Sequence, residues 1–215
     1  GVVTSDADGS GRPTVKDKFG KERSKSKAVN FGIIYGMGAA SLAETVNVSK
    51  QEAKELIKLW LATKPEVQRW IQQIERTGKQ DQTAVSILGR VRHLPLLKSP
   101  PSRASVTPED VCRYQAKSLR AAVNFAIQGS AADIVMAAML RLWRDERLRS
   151  LGFKVVMQIH DEFVLEGPEE YGTEAANAMR EVMMRPFQTY NPSFEFKTPL
   201  EVDVGVGKSF GSAKC

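Results

Sequence analysis

The chain has 215 residues, of which 42% are hydrophobic and 26% are charged, which is the balance of an ordinary globular protein. The net charge of +6 is concentrated in residues 16–27 and 86–120, which indicates a surface that binds polyanions, although a solvated face is the commoner origin of such charge. Two cysteines are too few for a disulfide framework or a zinc site, and no signal peptide or apolar run of about 20 residues is present, so we expect a reducing compartment and no membrane partner.

Residues 1–15 are rich in Gly, Ser, Asp and Thr, which is typical of a flexible loop. Because the chain begins at Gly1 rather than at Met, we expect the true N-terminus to lie upstream.

A helix predicted from residues 16–21 to residues 36–38 carries a stripe of side chains spaced by four: Arg23, Lys27, Phe31 and Tyr35. A four-residue step overshoots a helical turn by about 40°, so the stripe winds slowly, with two cations followed by two aromatic rings. Cations suit phosphate oxygens and an aromatic ring can stack on a base, so the stripe matches a nucleoside triphosphate end for end. Solvated cations and core aromatics are the simpler alternative, but a glycine follows each aromatic residue and suggests a close approach.

The middle of the chain reads mainly as scaffold. Ser49 and Glu52 form a capping box, and Pro65 suits the first position of the next helix. Residues 83–97 are predicted to be extended, with a turn near residues 88–90 and basic side chains at Arg90 and Arg92. Residues 98–106 are typical of a mobile loop, and Thr107 is a good cap for a further helix.

A second stripe consists of Arg120, Asn124 and Gln128, again spaced by four. Amide side chains carry both donors and acceptors and can contact base edges or sugars, while an exposed polar face is an equally good interpretation of the spacing alone. A long helix is expected to follow to about residue 150.

His160, Asp161 and Glu162 lie between two apolar runs of β-prone residues, which predicts a hairpin with these three residues at its turn. A carboxylate at such a tip is most often a turn former, and the functional alternative is a Mg²⁺ ligand. A helix over residues 175–183 and a strand over 200–206 complete the pattern. Together these elements predict an α+β fold with an antiparallel sheet packed by helices.

These motifs resemble those of the family A (DNA polymerase I-like) DNA polymerases. Arg-x3-Lys-x7-Tyr-Gly with Phe31 looks like the family's fingers helix, Arg-x3-Asn-x3-Gln-Gly like the segment along the primer–template minor groove, and His-Asp-Glu like the palm motif. The resemblance implies a fingers subdomain over residues 16–115 and the C-terminal half of the palm over 116–215. Residues 98–106 and 200–206 also look similar to plant and protist organellar polymerases, which would place the protein in a plastid or a mitochondrion.

The reaction implied by the resemblance is transfer of a nucleotide from a dNTP to a primer 3′-OH, with two Mg²⁺ ions as cofactors and primer–template DNA as partner. Asp161 would hold metal, Glu162 would lie beside it and His160 would contact the primer terminus. Lys27 would grip the triphosphate and give a proton to pyrophosphate. The remaining roles are implied in the same way: Arg23 on the triphosphate, Phe31 on the incoming sugar and base, Tyr35 by the template base, and Arg120, Asn124 and Gln128 along the primer–template. Arg90 and Arg92 are predicted to contact DNA because they belong to the basic stretch 86–120.

The family's other metal-binding aspartate lies in an Asp-Tyr-Ser-like strand upstream of the fingers, and residues 1–215 contain no such segment. They also lack a thumb and an exonuclease domain, so we expect these residues to be a fragment that is inactive alone and has the rest of a polymerase chain as its partner. A single-subunit RNA polymerase and a non-catalytic DNA-binding module remain as alternatives.

Overall fold

The structure is a computed structural model that describes residues 13–97 and 106–213, and the chain divides between Gly129 and Ser130 into two compact units. The predictions for residues 1–12 and 98–105 lie outside the described residues. The first unit contains α1 (Val15–Ile34), α2 (Ala39–Val46), α3 (Lys50–Ala62), α4 (Pro65–Asp81), β1 (Thr83–Val85), β2 (Val91–His93), a 3₁₀ turn (Pro95–Leu97), α5 (Pro108–Asn124) and a π-helical turn (Phe125–Gly129). The second contains α6 (Ser130–Arg144), α7 (Glu146–Ser150), β3 (Lys154–Ile159), β4 (Glu162–Glu166), a 3₁₀ turn (Glu169–Tyr171), α8 (Gly172–Met184) and α9 (Phe210–Ala213).

Capping residues set the starts of three helices in the first unit. The predicted capping box of Ser49 and Glu52 and the predicted cap at Thr107 are confirmed, and Thr14 forms a third box that the sequence analysis did not identify. In each box the hydroxyl accepts from the backbone amide three residues on, and the acid at that position accepts from the cap. These bonds satisfy amides that a helix start otherwise leaves without partners.

The first unit has two small apolar cores. One contains Leu42, Ala43, Val46 and Ala53, and it packs α2 against α3. The other contains Ala84, Leu94, Leu97 and Ala122, and it packs the β1–β2 hairpin and the 3₁₀ turn against α5. Helix α2 was missed from the sequence because it is only eight residues long and rich in small side chains.

In the second unit, the β3–β4 hairpin packs with α6, α7 and α8 around a single core. The buried core residues are Ala138, Leu142, Leu148, Phe163, Ala175, Ala178 and Val182. The hairpin is antiparallel, with Ile159 opposite Glu162 and a bulge between Val155 and Met157. The predicted α+β class, with antiparallel strands packed by helices, is confirmed.

The predicted strand over residues 200–206 is wrong, because the structure assigns no strand there. Its alternation persists, since Val202 and Val204 are half-buried while Glu201, Asp203 and Gly205 are exposed. The segment runs beside α8, where Arg180 donates from Nε to the Val202 carbonyl at 3.2 Å and Val206 packs against Gly172. An alternating pattern shows which side faces protein, whereas a strand also needs a neighbouring backbone to pair with.

Within the described residues, one helical segment, Pro108–Arg144, is long and apolar enough to cross a membrane by length and composition. A single such segment is weak evidence, since the core helix of a soluble protein passes the same test.

Candidate functional site

Helix α1 carries the cationic part of the first stripe on an exposed surface. Arg23 is half-buried and Lys27 is exposed, and within the described part of the chain neither side chain has a hydrogen bond or an ion pair. The helix has non-helical dihedral angles at Phe19 (φ −131°, ψ 39°), four residues before Arg23. Both cations are therefore available to a ligand on the regular part of the helix.

The aromatic end of α1 is the end that the first unit holds in place. The buried residues of α1 are Gly32 and Ile33, both near its C-terminus. Trp60 of α3 is 9% exposed and donates from its indole Nε1 to Asn30 Oδ1 at 2.6 Å. A Cβ on Gly32 would lie 3.0 Å from Met37 Sδ, so the Met37 side chain packs directly on this glycine. Helix α1 is thus anchored beside Phe31, while its cationic part projects into solvent.

Phe31 and Tyr35 form an aromatic surface at this anchored end. Their ring centroids are 6.1 Å apart and their planes differ by 16°, so the rings are stacked. Phe31 is 53% exposed, which is unusual for a large apolar ring and leaves one side open to a ligand. Tyr35 is half-buried, and its hydroxyl oxygen accepts a hydrogen bond of 2.6 Å from Gln128 Nε2.

That hydrogen bond joins the two stripes of the sequence. Arg120 and Asn124 lie on α5, and Gln128 lies in the π-helical turn. A π-helical turn contains more residues than an α-helical turn, so four residues do not complete it. The step from Asn124 to Gln128 therefore keeps Gln128 near the face that carries Arg120 and Asn124. Arg120 also packs on Gly36, where a Cβ would lie 2.8 Å from Arg120 Cγ. The residues predicted to bind nucleotide and those predicted to bind primer–template thus meet at Tyr35 and Gly36.

The basic hairpin β1–β2 reaches the same π-helical turn. The guanidinium carbons of Arg90 and Arg92 lie 5.5 Å and 5.7 Å from the centre of the Phe125 ring, within cation–π range. Arg90 also donates from Nη2 to the carbonyl oxygen of Gly129 at 2.8 Å. Both arginines are exposed, and the guanidinium of Arg92 has no hydrogen bond or ion pair within the described residues.

In the second unit, the predicted hairpin has a two-residue loop, His160–Asp161, between Ile159 and Glu162. His160 has a φ of +54°, and its carbonyl accepts from Gln158 Nε2. A non-glycine residue in this left-handed region stores about 1–3 kcal/mol of strain, and such positions cluster at functional sites. The side chains of His160, Asp161 and Glu162 are all exposed, and Glu162 faces away from the core that its neighbour Phe163 enters.

The hairpin tip fits a divalent metal ion in the chemistry of its ligands and falls short in their number. Carboxylate oxygens are the ligands that Mg²⁺ prefers, and Asp161 and Glu162 supply them at an exposed turn. Residues 13–97 and 106–213 contain no group of three or more His, Cys, Asp or Glu side chains arranged to hold a metal. The tip is therefore suited to contribute part of a metal site.

Several residues that shape the site were not singled out by the sequence analysis. Asn30, Trp60, Phe125 and Gly129 act on the predicted site residues through contacts that no local pattern reveals. Phe125 and Gly129 did carry one signal: they flank Gln128 in the segment that resembles the minor-groove motif.

Comparison with known proteins gives a consistent assignment. A family model described as DNA polymerase family A matches residues 9–212, which is nearly the whole chain. The chain is 37% identical over 203 residues to "DNA polymerase I B, mitochondrial" of Oryza sativa subsp. japonica, and 36% identical over 202 residues to "DNA polymerase I A, chloroplastic/mitochondrial" of Arabidopsis thaliana. Each alignment covers 94% of this chain and 18% of the relative, so the chain spans less than a fifth of the length of these relatives.

A solved structure shares the fold. The POL domain of Pol1 from M. smegmatis, in complex with DNA primer-template and dNTP, superposes with a TM-score of 0.76 at 29% sequence identity. The match covers 94% of this chain and 32% of that one.

Proposed function

The chain belongs to DNA polymerase family A, and on this premise we propose that the protein containing it carries out template-directed DNA synthesis, transferring nucleotides from dNTPs to a primer 3′-OH. The observation that carries the proposal is the hydrogen bond from Gln128 to Tyr35, which joins a cationic and aromatic stripe to a polar one. Nucleotide and primer–template must meet at the point of synthesis, and these two stripes meet at that bond. The M. smegmatis neighbour, whose structure contains primer-template and dNTP, supports the same two partners.

On the nucleotide side, Arg23 and Lys27 bind the triphosphate, since both lack partners in the described residues and project from the exposed end of α1. Arginine offers a forked pair of donors and lysine a compact charge, and both suit phosphate oxygens. Lys27 is also the candidate proton donor to pyrophosphate. Phe31 packs its exposed face on the incoming sugar and base, and Tyr35 lies by the template base.

On the primer–template side, Arg120, Asn124 and Gln128 line the duplex. Gln128 has two amide hydrogens, so it can donate one to Tyr35 and the other to a base or sugar acceptor. Arg92 is exposed on β2 and suits a phosphate of the same duplex, whereas Arg90, the other arginine predicted to contact DNA, is bonded to the Gly129 carbonyl. We assign residues 16–115 to a fingers subdomain and residues 116–215 to the C-terminal half of a palm subdomain.

The acidic residues of the proposed chemistry lie at the tip of the β3–β4 hairpin in the second unit. Asp161 holds metal, Glu162 lies beside it, and His160 contacts the primer terminus. When bound, two Mg²⁺ ions would supply activation of the primer 3′-oxygen and stabilisation of the leaving pyrophosphate. The left-handed backbone at His160 keeps the loop to two residues, which presents the Asp161 carboxylate at the extreme end of the hairpin.

The relatives in rice and Arabidopsis are named as mitochondrial and chloroplastic/mitochondrial proteins, and we propose an organellar location for this protein as well. Residues 98–106 and 200–206, which look similar to plant and protist organellar polymerases in sequence, support the same proposal.

Primer extension by the full-length protein tests the function. We expect incorporation that follows the template, prefers dNTPs to ribonucleotides, requires Mg²⁺ and is abolished by Asp161→Asn. The matched control is Glu166→Gln, which removes an exposed carboxylate at the opposite end of the same hairpin strand and should retain activity. Residues 1–215 alone should bind DNA weakly and not extend it, because the tip provides only part of a metal site.

Other outcomes would contradict this function. Preference for ribonucleotides would favour the RNA polymerase alternative. Tight DNA binding with no extension by the full-length protein would favour a non-catalytic DNA-binding module. Extension by residues 1–215 alone that Asp161→Asn abolishes would agree with the function but contradict the expected inactivity of these residues, because it would show that a complete metal site exists within them.

A further inference from the structure

The π-helical turn Phe125–Gly129 is held from outside by the hairpin β1–β2. In a π-helix the backbone bonds run from i to i+5, and such turns are rare and occur frequently at functional sites. The carbonyl of Gly129, the last residue of the turn, accepts from Arg90 Nη2 at 2.8 Å. A bond from a guanidinium is charge-assisted and stronger than one between neutral groups.

Packing fits Gly129 and Phe125 closely together inside this turn. A Cβ on Gly129 would lie 2.9 Å from Phe125 Cε2, so the ring lies directly over the glycine. The Arg90 and Arg92 guanidinium groups lie against the same ring. The ring and the carbonyl are therefore two separate points at which the turn is fixed, and Arg90 contacts both.

Arg90 is itself rigidly placed by the buried Ser86. Ser86 is 6% exposed, its Oγ accepts from the Arg90 amide at 3.1 Å, and its own amide donates to the Arg90 carbonyl at 2.9 Å. The side chain of Arg92, in contrast, has no hydrogen bond or ion pair within the described part of the chain. The two arginines, which look equivalent in the sequence, thus have different surroundings.

Gln128 immediately precedes Gly129, and its side chain reaches Tyr35 Oη. We propose that Arg90 is a positioning residue for nucleotide incorporation: by holding the Gly129 carbonyl and the Phe125 ring, it sets the orientation of Gln128 and so of Tyr35. The proposal rests on the function proposed above. It separates Arg90, which acts through Gln128, from Arg92, which is left to contact DNA phosphate.

A double-mutant cycle in the full-length protein tests this role. Gln128→Ala removes the neutral hydrogen bond to Tyr35 together with the proposed contact to the duplex, so it should lower kcat/KM for single-nucleotide incorporation by about ten- to a hundredfold, and Arg90→Gln should lower it by no more than that. If Arg90 acts through Gln128, adding Arg90→Gln to Gln128→Ala should cause no further loss. Arg90→Lys keeps one donor for the Gly129 carbonyl and should recover most of the activity.

The salt dependence of DNA binding distinguishes positioning from phosphate contact. Each phosphate neutralised by a cation adds about 0.9 to the negative slope of log affinity against log salt. Arg92→Gln should reduce the slope by about that amount, whereas Arg90→Gln should leave it unchanged. The proposal would be overturned if both variants reduced the salt slope equally and if the losses in kcat/KM of Arg90→Gln and Gln128→Ala multiplied in the double mutant.

Amide hydrogen exchange provides a readout that does not depend on activity. Arg90→Gln should speed exchange at residues 125–129, and Arg92→Gln should leave it near the parent rate. If the parent protein incorporates no nucleotide, the proposed function fails, while unchanged exchange in Arg90→Gln would overturn the positioning role by itself. Should Arg90→Gln not fold, Arg90→Lys replaces it in the cycle, with a smaller loss that again disappears in the Gln128→Ala background.

Discussion

Gly36 lies where the two stripes meet, and its replacement by alanine probes two effects at once. Its φ of +75° is in the left-handed region, which costs an L-residue roughly 1–2 kcal/mol. The new Cβ would also lie 2.8 Å from Arg120 Cγ, and relieving such a contact costs about a further 1–3 kcal/mol. We expect Gly36→Ala to lower the free energy of unfolding by about 2–5 kcal/mol.

Two other glycines separate these effects. Gly89 has a φ of +81°, and no atom lies within 4 Å of the place that a Cβ would occupy. Gly89→Ala should therefore lower the free energy of unfolding only through backbone strain, by about 1–2 kcal/mol. Gly20 lies in α1 without a positive φ and also has no atom within 4 Å, so Gly20→Ala should stabilise by roughly 0.5–1 kcal/mol. In an Arg120→Ala background the steric part should vanish, and Gly36→Ala should then match Gly89→Ala.

Urea unfolding followed by tryptophan fluorescence measures these differences. A Trp143→Phe background leaves Trp60 and Trp70, so the signal reports the first unit. Trp143 is 66% exposed, and its replacement should affect stability little. This expectation is refuted if Gly36→Ala and Gly89→Ala lower the free energy of unfolding equally with Arg120 present, or if Arg120→Ala leaves the difference between them unchanged. Either result would mean that Arg120 does not pack on Gly36 and that the two stripes do not meet there.

Three further outcomes are expected. Lys27→Ala in the full-length protein should lower kcat/KM for dNTP by about ten- to a hundredfold through loss of a charged hydrogen bond, with little change in primer–template affinity. If a DNA titration shows that primer–template affinity falls by the same factor, Lys27 does not bind the triphosphate specifically. Phe31→Tyr should raise the ratio of dideoxy- to deoxynucleotide incorporation by placing a hydroxyl near the missing 3′-OH, and an unchanged ratio would mean that Phe31 does not pack on the sugar. Hydrogen bonds from the Ser49 hydroxyl and then the Ser49 amide hold the pKa of Glu52 below its ordinary value of 4.5, so the capping box stabilises the chain above pH 4.5, and this stabilisation is lost as the pH falls through the lower folded-state pKa. Between pH 7 and pH 3 the urea midpoint of the parent should therefore fall more than that of Glu52→Gln, and an equal fall in both would contradict this role of Glu52.

The sequence by itself determined the features that arise from short-range rules. Capping at Ser49 and Thr107, Pro65 at a helix start and the hairpin around His160–Asp161 all depend on residues within a few positions of one another. The family was indicated by the resemblance of three short motifs, and the four-residue spacing in two of them places their side chains on one face whatever surrounds the helix.

Only the tertiary structure decided which of these features meet. Gln128 and Tyr35 are 93 positions apart and Arg90 and Gly129 are 39 apart, so their hydrogen bonds depend on how α1, the β1–β2 hairpin and α5 pack. The same holds for Val202, where an alternating pattern predicts a strand and packing places the segment beside α8. A local pattern fixes the direction of a side chain relative to its own element, whereas the identity of its partner is set by burial of apolar surface elsewhere in the fold.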